Sequence, residues 1–345
     1  MKTSSKLLIV VSHFNDYINL RRCIGSFEKL DKSFIGIIVV DDCSDEEYYS
    51  KIQNHCNLNS IKLIRNVINS GVSSVRNIGI NFALENNYSH ITFIDCDDHL
   101  IDIIDHNDYS HSDITIYDSV ETKSKYKIYH EYKSHVIKLN INNNISIEEI
   151  LIKYAIAPNK VPTLTSCWAK IFDLNIILNN KLLFNEKMQT FEDVDFLLNY
   201  LRFATKINII NKTLYAHTNN LLFDSMSYKR DKENFNSMFG FVNMSRKFDS
   251  LCVQRGVNYN RSHFLASYYS ITFIRLAINI ISVSEFFKYY MFIKKRLHSK
   301  LVIRYFKNYN PKLAGGRLIT KILIILRQPL LLSLYLLIVA KIRYR

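Results

Sequence analysis

The sequence predicts an α/β fold, in which a mostly parallel sheet with flanking helices is followed by a helical C-terminal region. Three observations support this prediction. Short apolar segments alternate with amphipathic segments over the first hundred residues. Polar and acidic clusters follow three of the apolar segments. From about residue 230 onward the pattern is helical and rich in Tyr, Phe and Lys.

The first hundred residues predict four strands separated by three helices. The strands are expected at Lys6–Ser12, Phe34–Val40, Ile61–Ile64 and Ile91–Ile94, and the helices at Tyr17–Lys29, Glu46–Cys56 and Gly71–Leu84. Repeated β-α-β units imply a parallel sheet that is covered on both faces. Ligands of such sheets bind at the carboxyl ends of the strands, where the polar clusters lie.

The middle of the chain is less regular. We expect strands at Ile114–Asp118 and Lys125–Tyr132 and helices at Ser146–Tyr154 and Phe191–Phe203. Ser146 is the expected N-cap of its helix, because Glu149 follows three residues later. Ser284 is the expected cap of a later helix that runs to about His298.

The net charge of +14 is concentrated at the C-terminal end of the chain. Of the 45 Lys and Arg residues, 14 lie between residues 286 and 345, where there is no Asp or Glu, and the other 31 balance the 31 acidic residues. A uniformly basic chain would suggest nucleic acid as a partner. A neutral body with a basic, apolar end suggests an anionic membrane surface instead, and no nucleic acid.

The six cysteines favour free thiols in a reducing cytoplasm. No two of them have C-x-x-C spacing, and no histidine pair completes a zinc pattern. The apolar stretch Leu7–Val11 is too short for a secretory signal peptide. We therefore expect a cytoplasmic protein without disulfides.

The most informative segment is the acidic cluster at residues 95–98, which follows the fourth strand. In an extended chain residues i and i+2 point to the same side, so Asp95 and Asp97 are expected to face one point, about 6–7 Å apart. Like charges that close favour a bridging cation, and oxygen ligands suit Mg²⁺ or Mn²⁺, often together with substrate phosphates. The alternative is an acidic turn that caps a helix.

Five motifs, in order along the chain, resemble those of family 2 glycosyltransferases, which have the GT-A fold. They are Val39–Ser44 (V-D-D-G-S in the family), Asn69–Gly79 (N-x-G-x-x-x-A-R-N-x-G), Asp95–Asp98 (D-x-D-D), Ser166–Lys170 (small-x-W-x-K) and Phe191–Phe196 (E-D-x-x-F). The resemblance covers roughly residues 5–220 and points to enzymes of bacterial capsule and O-antigen synthesis. Two positions depart from it: Phe14 stands where Tyr is usual, and Cys43 where Gly is usual.

The resemblance implies a nucleotide-sugar site on the strand ends. Asp42 would contact the uracil or ribose, and Asp95 and Asp97 would hold Mn²⁺ or Mg²⁺ beside the diphosphate, with Asp98 in support. His217 is a further candidate metal ligand. The residues assigned to the nucleotide sugar are Ser12, Asn15, Asp42, Arg76, Asp95 and Asp97.

The motif of the third helix contributes both a charge and close packing. Arg76 is expected to reach the diphosphate or the base of the donor, and a surface ion pair is the alternative. Asn77 and Gly79 are expected to allow close packing of the helix on the sheet.

The resemblance assigns the general base that deprotonates the acceptor hydroxyl to Asp193. Helical spacing agrees, because Asp193 precedes the apolar Phe196 and Leu197 by three and four residues and shares their side of the helix. Three residues are candidates for the sugar or acceptor pocket: Trp168, Lys170 and Glu192. For Trp168 a plain core position is the alternative.

The C-terminal tail has an apolar stretch, Gln328–Ala340, of thirteen uncharged residues. This is too short to span a bilayer of about 30 Å. Pro329 interrupts the helical pattern, and Lys321 and Arg327 precede it. Two short basic amphipathic helices in the membrane interface fit best. A packed helical core or oligomer contact and a membrane span are the alternatives.

Together these features predict a catalytic domain at 1–220, a helical region at 221–313 and a membrane-associating tail at 314–345. The predicted protein is an inverting, metal-dependent glycosyltransferase that uses a UDP-sugar and a lipid-linked saccharide at the inner face of the plasma membrane. One alternative is a sugar nucleotidyltransferase, which would need a Gly-rich loop that Ser12–Asn15 does not supply. Another is a non-catalytic membrane-surface protein, which gives the acids at the strand ends no role.

Overall fold

The structure is a computed structural model that describes residues 6–123, 145–158, 164–188, 190–219, 238–278 and 280–343. These residues fall into two compact units. The first is drawn from Met1–Ile147 and Thr165–Leu221, and the second from Glu148–Leu164 and Leu222–Arg345. All strands of the described residues lie in the first unit, and the second is helical.

The first unit alternates strands and helices over its first hundred residues, as predicted. Its elements are β1 Leu7–His13, α1 Tyr17–Gly25, β2 Ile35–Asp41, α2 Glu46–Leu58, β3 Lys62–Arg65, α3 Val72–Glu85, β4 His90–Asp95, β5 His99–Leu100, α4 His106–Tyr109, β6 Ile114–Lys123, β7 Lys170–Asp173, α6 Leu174–Asn179, α7 Glu192–Tyr200 and β8 Ile207–Asn219. The label α5 belongs to Ile147–Ile156 in the second unit. The predicted strand Lys125–Tyr132 lies outside the described residues.

The eight strands form one mixed sheet in the order β3-β2-β1-β4-β7-β6-β8-β5. The strands β3, β2, β1 and β4 run parallel, as the repeated β-α-β units predict. β7 is antiparallel to both β4 and β6, β6 and β8 run parallel, and β5 is antiparallel to β8. The prediction of an α/β fold with a helical C-terminal region is confirmed, and the second half of the sheet is mixed because no β-α-β repeat builds it.

The centre of the sheet is buried on both faces. All seven residues of β1 are buried, as expected for a central parallel strand. The helix α3 lies very close to β1, because a Cβ on Gly79 would come within 2.5 Å of Val10 Cγ1. The packing role predicted for Gly79 is confirmed.

The second unit is a cluster of helices with its own core. They are α5 Ile147–Ile156, α8 Met238–Gln254, α9 Arg261–Ile278, α10 Val283–Leu297, α11 Lys300–Lys307, α12 Leu318–Ile325 and α13 Pro329–Arg343. Phe273, Tyr289, Phe306 and Leu336 lie in its buried cluster. None of the helices in the described part of the chain is long and apolar enough to cross a membrane.

The capping prediction for α10 is wrong by two residues. The N-cap is Ser282, whose hydroxyl accepts the N–H of Glu285 at 3.2 Å while the Glu285 carboxylate accepts the N–H of Ser282 at 3.0 Å. Ser284 is instead the second residue of the helix. Ser282 is the N-cap because it stands three residues before Glu285, the only acid in this stretch, and the two residues form a capping box.

Candidate active site

The site lies where the strand order of the sheet reverses. From β1 the chain moves through β2 to β3 on one side, whereas β4 lies on the other side of β1. Open α/β sheets bind ligands outside the carboxyl ends of strands at such a switch point. Ser12 on β1 and Asp95 on β4 are paired in register there. The buried hydroxyl of Ser12 has no hydrogen-bond partner within the residues described.

Asp42 holds the loop that leads into α3. One carboxylate oxygen accepts the N–H of Ser70 and the side-chain amide of Asn66, both at 3.0 Å, and the other accepts the N–H of Gly71 at 2.7 Å. Two carboxylate oxygens offer about four acceptor positions, so room for one more donor remains, such as the N–H of a pyrimidine ring. The next residue, Cys43, has a φ of 63°, a conformation that glycine adopts most easily. Cys43 therefore departs from the family motif in residue type but keeps the backbone conformation of a glycine.

Asn15 ties together the loops that follow β1 and β2. Its Nδ2 donates to the Asp45 carboxylate at 3.0 Å, and its Oδ1 accepts the Asp45 N–H at 2.8 Å. Its own N–H donates to the Ser44 hydroxyl at 2.9 Å. Because both the nitrogen and the oxygen of the Asn15 side-chain amide are hydrogen-bonded to Asp45, Asn15 would affect a nucleotide-sugar donor only through the geometry of these two loops.

A buried Asp41–His13–Ser44 group supports the same loops. His13 Nδ1 lies 2.9 Å from Asp41 Oδ1, and His13 Nε2 accepts the N–H of Asp16 at 3.1 Å, so the ring proton belongs on Nδ1. Burial alone would raise the pKa of Asp41, but hydrogen bonds from His13 and Ser44 outweigh it and lower that pKa.

The acidic cluster is a turn. β4 ends at Asp95, and the N–H of Asp98 donates to the Asp95 carbonyl at 2.9 Å. The expectation that Asp95 and Asp97 lie along an extended strand is therefore wrong, because the turn sets their positions. Burial, followed by the nearby Asp98 and Asp95, raises the pKa of Asp97 to about 7. Burial also raises the pKa of Asp95, against the opposing effect of Arg76.

Asp98 anchors this turn to β8. One of its oxygens accepts the Thr218 N–H at 2.7 Å, and the other accepts the Tyr215 hydroxyl at 2.5 Å and faces His217 Nδ1 at 3.2 Å. Arg22 on α1 holds the other side, donating to the Asp97 carbonyl and, at 3.1 Å, to the Thr218 hydroxyl. Sequence analysis missed Arg22, because its partners lie 75 and 196 residues away and no motif marks it.

Arg76 joins the acidic turn to the predicted base. One terminal nitrogen of its guanidinium donates to Asp193 Oδ1, and the other donates to Asp95 Oδ1 at 3.1 Å. The Arg76 side chain is 3% exposed. Burial opposes its charge, but Asp193 and Asp95 outweigh burial and raise the pKa of Arg76. Asp193 and Asp95 thus flank one site although 98 positions separate them in the sequence.

An aromatic stack lies beside this site. Trp168 stacks on Tyr215, with ring centroids 4.9 Å apart, and on His217, with centroids 5.4 Å apart. Burial would lower the pKa of His217, but Asp98 outweighs it and raises that pKa to about 9. Lys170 is buried, which lowers its pKa to about 8, and its Nζ donates to the Trp168 carbonyl at 3.3 Å. Lys170 therefore supports Trp168, while Trp168 is the member of the pair that remains partly exposed.

The predicted base, Asp193, lies at a strained helix start. Phe191, the N-cap of α7, has a φ of 66°, which is unusual for a bulky residue and typical of functional sites. Asp193 and the half-buried Glu192 fall in the first turn of α7, where the helix dipole favours negative charge. This places both acids of the E-D-x-x-F motif at the start of one helix.

Asp95 and Asp97 are the candidate oxygen donors for a metal ion here. No group of three or more His, Cys, Asp or Glu side chains is arranged to hold one in the described ranges. Mg²⁺ usually takes only one or two carboxylates from a protein and completes its shell with phosphates and water. Asp95 and Asp97 supply that number, and a cation between them would oppose the repulsion that Asp98 and Asp95 add to the effect of burial on Asp97. The donor set therefore fits a metal shared with a diphosphate.

Comparisons with known proteins agree with this geometry. Residues 8–103 match the family model described as glycosyl transferase family 2. This segment contains β1 to β4 and the acidic turn. A comparison with curated protein sequences found no relative of this chain.

Among solved structures, S. aureus TarS is similar over 95% of this chain, with 15% identity and a TM-score of 0.55. The chain spans 54% of that TarS chain and 89% of a TarS structure of residues 1–349. Complexes of TarS 1–349 with UDP-GlcNAc and with UDP match at 16% identity, with TM-scores of 0.56 and 0.53. At this identity the likeness shows the fold, and the predicted GT-A-like fold is confirmed.

Proposed function

We propose that the chain transfers a sugar from a UDP-sugar to a lipid-linked saccharide, with inversion and with a divalent metal ion. The premise is that residues 8–103 match glycosyl transferase family 2. The observation that carries the proposal is the shared guanidinium of Arg76. It brings Asp95, at the nucleotide end of the motif series, next to Asp193, the candidate base. A donor site and a proton acceptor within reach of one side chain are what a single-displacement transfer needs.

Donor binding is assigned to the strand ends at the switch point. Asp42 has one acceptor position left for the base of a nucleotide. Ser12, whose buried hydroxyl has no partner within the described residues, is in register with Asp95. TarS, which shares the fold, has been crystallised with UDP-GlcNAc and UDP, which supports a uridine nucleotide as the donor class.

The transfer step is a direct displacement at the anomeric carbon. The acceptor oxygen attacks, its proton moves to a free lone pair of the Asp193 carboxylate, and the bond to the diphosphate breaks, so the configuration inverts. A divalent ion held by Asp95 and Asp97 would act as a Lewis acid toward the negative charge on the leaving diphosphate. Trp168, which is partly exposed and stacked on Tyr215 and His217, is the proposed contact for a sugar ring beside the site.

A lipid-linked acceptor is proposed because the second unit exposes apolar side chains next to basic ones. On α13, Leu330, Leu334, Ile338 and Ile342 recur every four residues and are 43–70% exposed. The opposite side of the helix packs into the core through Leu332, Leu336 and Ala340. The apolar stripe lies in the part of the chain that has no acidic residue, which favours an anionic lipid surface. The expected location is peripheral, at the inner face of the plasma membrane.

The activity is tested with purified protein, Mn²⁺ or Mg²⁺ and a panel of UDP-sugars that begins with UDP-GlcNAc. We expect release of UDP, accelerated by a saccharide acceptor. Asp193→Asn should lower kcat by about 100-fold or more, the usual contribution of a general base, while the affinity for UDP stays near that of the wild type. Failure to bind or hydrolyse any nucleotide sugar would reject the function, and a fully active Asp193→Asn would reject Asp193 as the base.

A further inference from the structure

We infer that Arg76 is a positioning residue for Asp193 and not a ligand of the donor diphosphate. The inference rests on the proposed function, in which Asp193 is the base. The sequence motif assigned Arg76 to the donor. In the structure both terminal nitrogens of its guanidinium donate to carboxylates of the protein, one to Asp193 and one to Asp95.

The burial of Arg76 argues against a phosphate partner. The side chain is 3% exposed, while those of Asp193 and Asp95 are 16% and 33% exposed. Because the guanidinium is buried beneath its surroundings, a donor phosphate could reach its remaining N–H groups only if one of these carboxylates moved away. Separating a partly buried ion pair in this way is unfavourable.

The carboxylate of Asp193 is held from two sides. Arg76 donates to Oδ1, and the N–H of Cys167 donates to Oδ2 at 3.0 Å. Each oxygen keeps a second lone pair, so the group can still take a proton although it cannot turn freely.

The guanidinium is itself held in place. Its central carbon lies 5.2 Å from the ring centre of Phe184 and 6.0 Å from that of Phe93. The next residue on α3, Asn77, fixes Phe184 through two backbone hydrogen bonds, from Nδ2 to the Phe184 carbonyl at 3.0 Å and from the Phe184 N–H to Oδ1 at 2.8 Å. Through the rigidly held Arg76, the packing of α3 therefore sets the position of the Asp193 carboxylate.

Steady-state kinetics of Arg76→Gln separate the two roles. Loss of positioning should lower kcat by about 100-fold, since a misplacement of about 1 Å can have that effect, with the donor KM and the affinity for UDP within about threefold of wild type. Arg76→Lys keeps the charge but offers one nitrogen in place of the two-pronged guanidinium, so it should recover part of the kcat. If Arg76→Gln fails to fold, Arg76→Lys gives the same separation of kcat from KM.

A double variant tests whether Arg76 acts through Asp193. In the Asp193→Asn background, Arg76→Gln should change kcat by less than about threefold, because residues that act as a unit are not additive. The control is Arg255→Gln, which removes another partly buried arginine, paired with Glu148 at 3.1 Å in the second unit, and should leave kcat near wild type.

A rise of tenfold or more in the donor KM with kcat unchanged would overturn the inference, as would full additivity with Asp193→Asn. If the wild type itself transfers no sugar, the proposed function fails and this inference fails with it. Sugar transfer by the wild type together with a donor-binding defect in Arg76→Gln would overturn the inference alone.

Discussion

Two buried histidines of the first unit contribute to the pH dependence of its stability. His90, the first residue of β4, is 5% exposed, and burial lowers its pKa to about 4, helped by the nearby His106. Burial lowers the pKa of His99 to about 4 as well. Between pH 6.5 and 4 the unfolded chain therefore binds protons at these two positions that the folded protein does not, so the contribution of each histidine to the free energy of unfolding falls as the pH falls.

His90→Gln should weaken this response. Each such histidine contributes at most about 1.4 kcal/mol per pH unit between pH 6.5 and 4, so the variant should lose less stability than the wild type between pH 7 and pH 5. The measurement is the free energy of unfolding from urea titrations at the two pH values. His111→Gln, at an exposed position, is the control and should behave as the wild type. If His90→Gln lost as much stability as the wild type between pH 7 and pH 5, the lowered pKa of His90 would be contradicted.

Residues at the site also show where motif analysis succeeds. Cys43 keeps the positive φ that explains the glycine of related sequences, and Asp42 holds the loop that the motif implies. The motif assigned Arg76 to the donor, whereas in the structure its guanidinium is paired with Asp193 and Asp95, and no motif gave a signal for Arg22. Both pairings have one cause: a cationic side chain reaches several ångströms, and its partner depends on which distant segments the fold brings close.

At the scale of elements, the close fit of α3 against β1 helps to position the site. The helix carries Arg76 and Asn77 within one turn of Gly79. The missing side chain of Gly79 lets the helix backbone approach Val10, and this approach sets the depth at which Arg76 meets the two carboxylates.

Gly79→Ala should therefore destabilise the protein, while Gly25→Ala should not. A Cβ at residue 79 would lie 2.5 Å from Val10 Cγ1, whereas a Cβ at Gly25 in α1 meets nothing within 4 Å. We expect a loss of about 1–3 kcal/mol for Gly79→Ala from overpacking and a gain of up to about 1 kcal/mol for Gly25→Ala from helix propensity. Denaturant midpoints measure both. Equal midpoints for the two variants would show that α3 can move away from β1 at little cost.

At the scale of the whole molecule, charge and exposed apolar surface coincide in the second unit. α12 and α13 are each buried on one side, at Ile324, Leu332 and Leu336, and expose apolar residues on another. The surrounding charges are all basic over the last 60 residues. A second copy of the same basic surface would be repelled, whereas an anionic bilayer would be attracted.

The double variant Leu334→Asp/Ile338→Asp should weaken binding to vesicles that contain anionic phospholipid by at least about tenfold, since each exposed apolar side chain adds on the order of 1 kcal/mol when buried in the interface. Flotation of the full chain with anionic and with zwitterionic vesicles measures it. Leu301→Asp on α11, which is 54% exposed and off the α13 stripe, is the matched control. Equal flotation of the double variant and the wild type would contradict the membrane proposal.

The sequence by itself determined the elements whose causes are local. Apolar runs and helical periodicity located β1 to β4 and their helices, and five ordered motifs indicated the family and the acids of the site. It also determined the basic charge of the C-terminal end. Only the tertiary structure decided the mixed second half of the sheet, whose strands β6, β7 and β8 lack a repeating pattern.

The tertiary structure also decided how the acids are arranged. A turn replaced the extended geometry expected at residues 95–97, and Arg76 is paired with the carboxylates of Asp193 and Asp95. The two pairs of Arg76 join residues 117 and 19 positions apart. Local patterns set strand and helix, whereas the partner of a buried charge follows from the packing of segments that are distant in sequence.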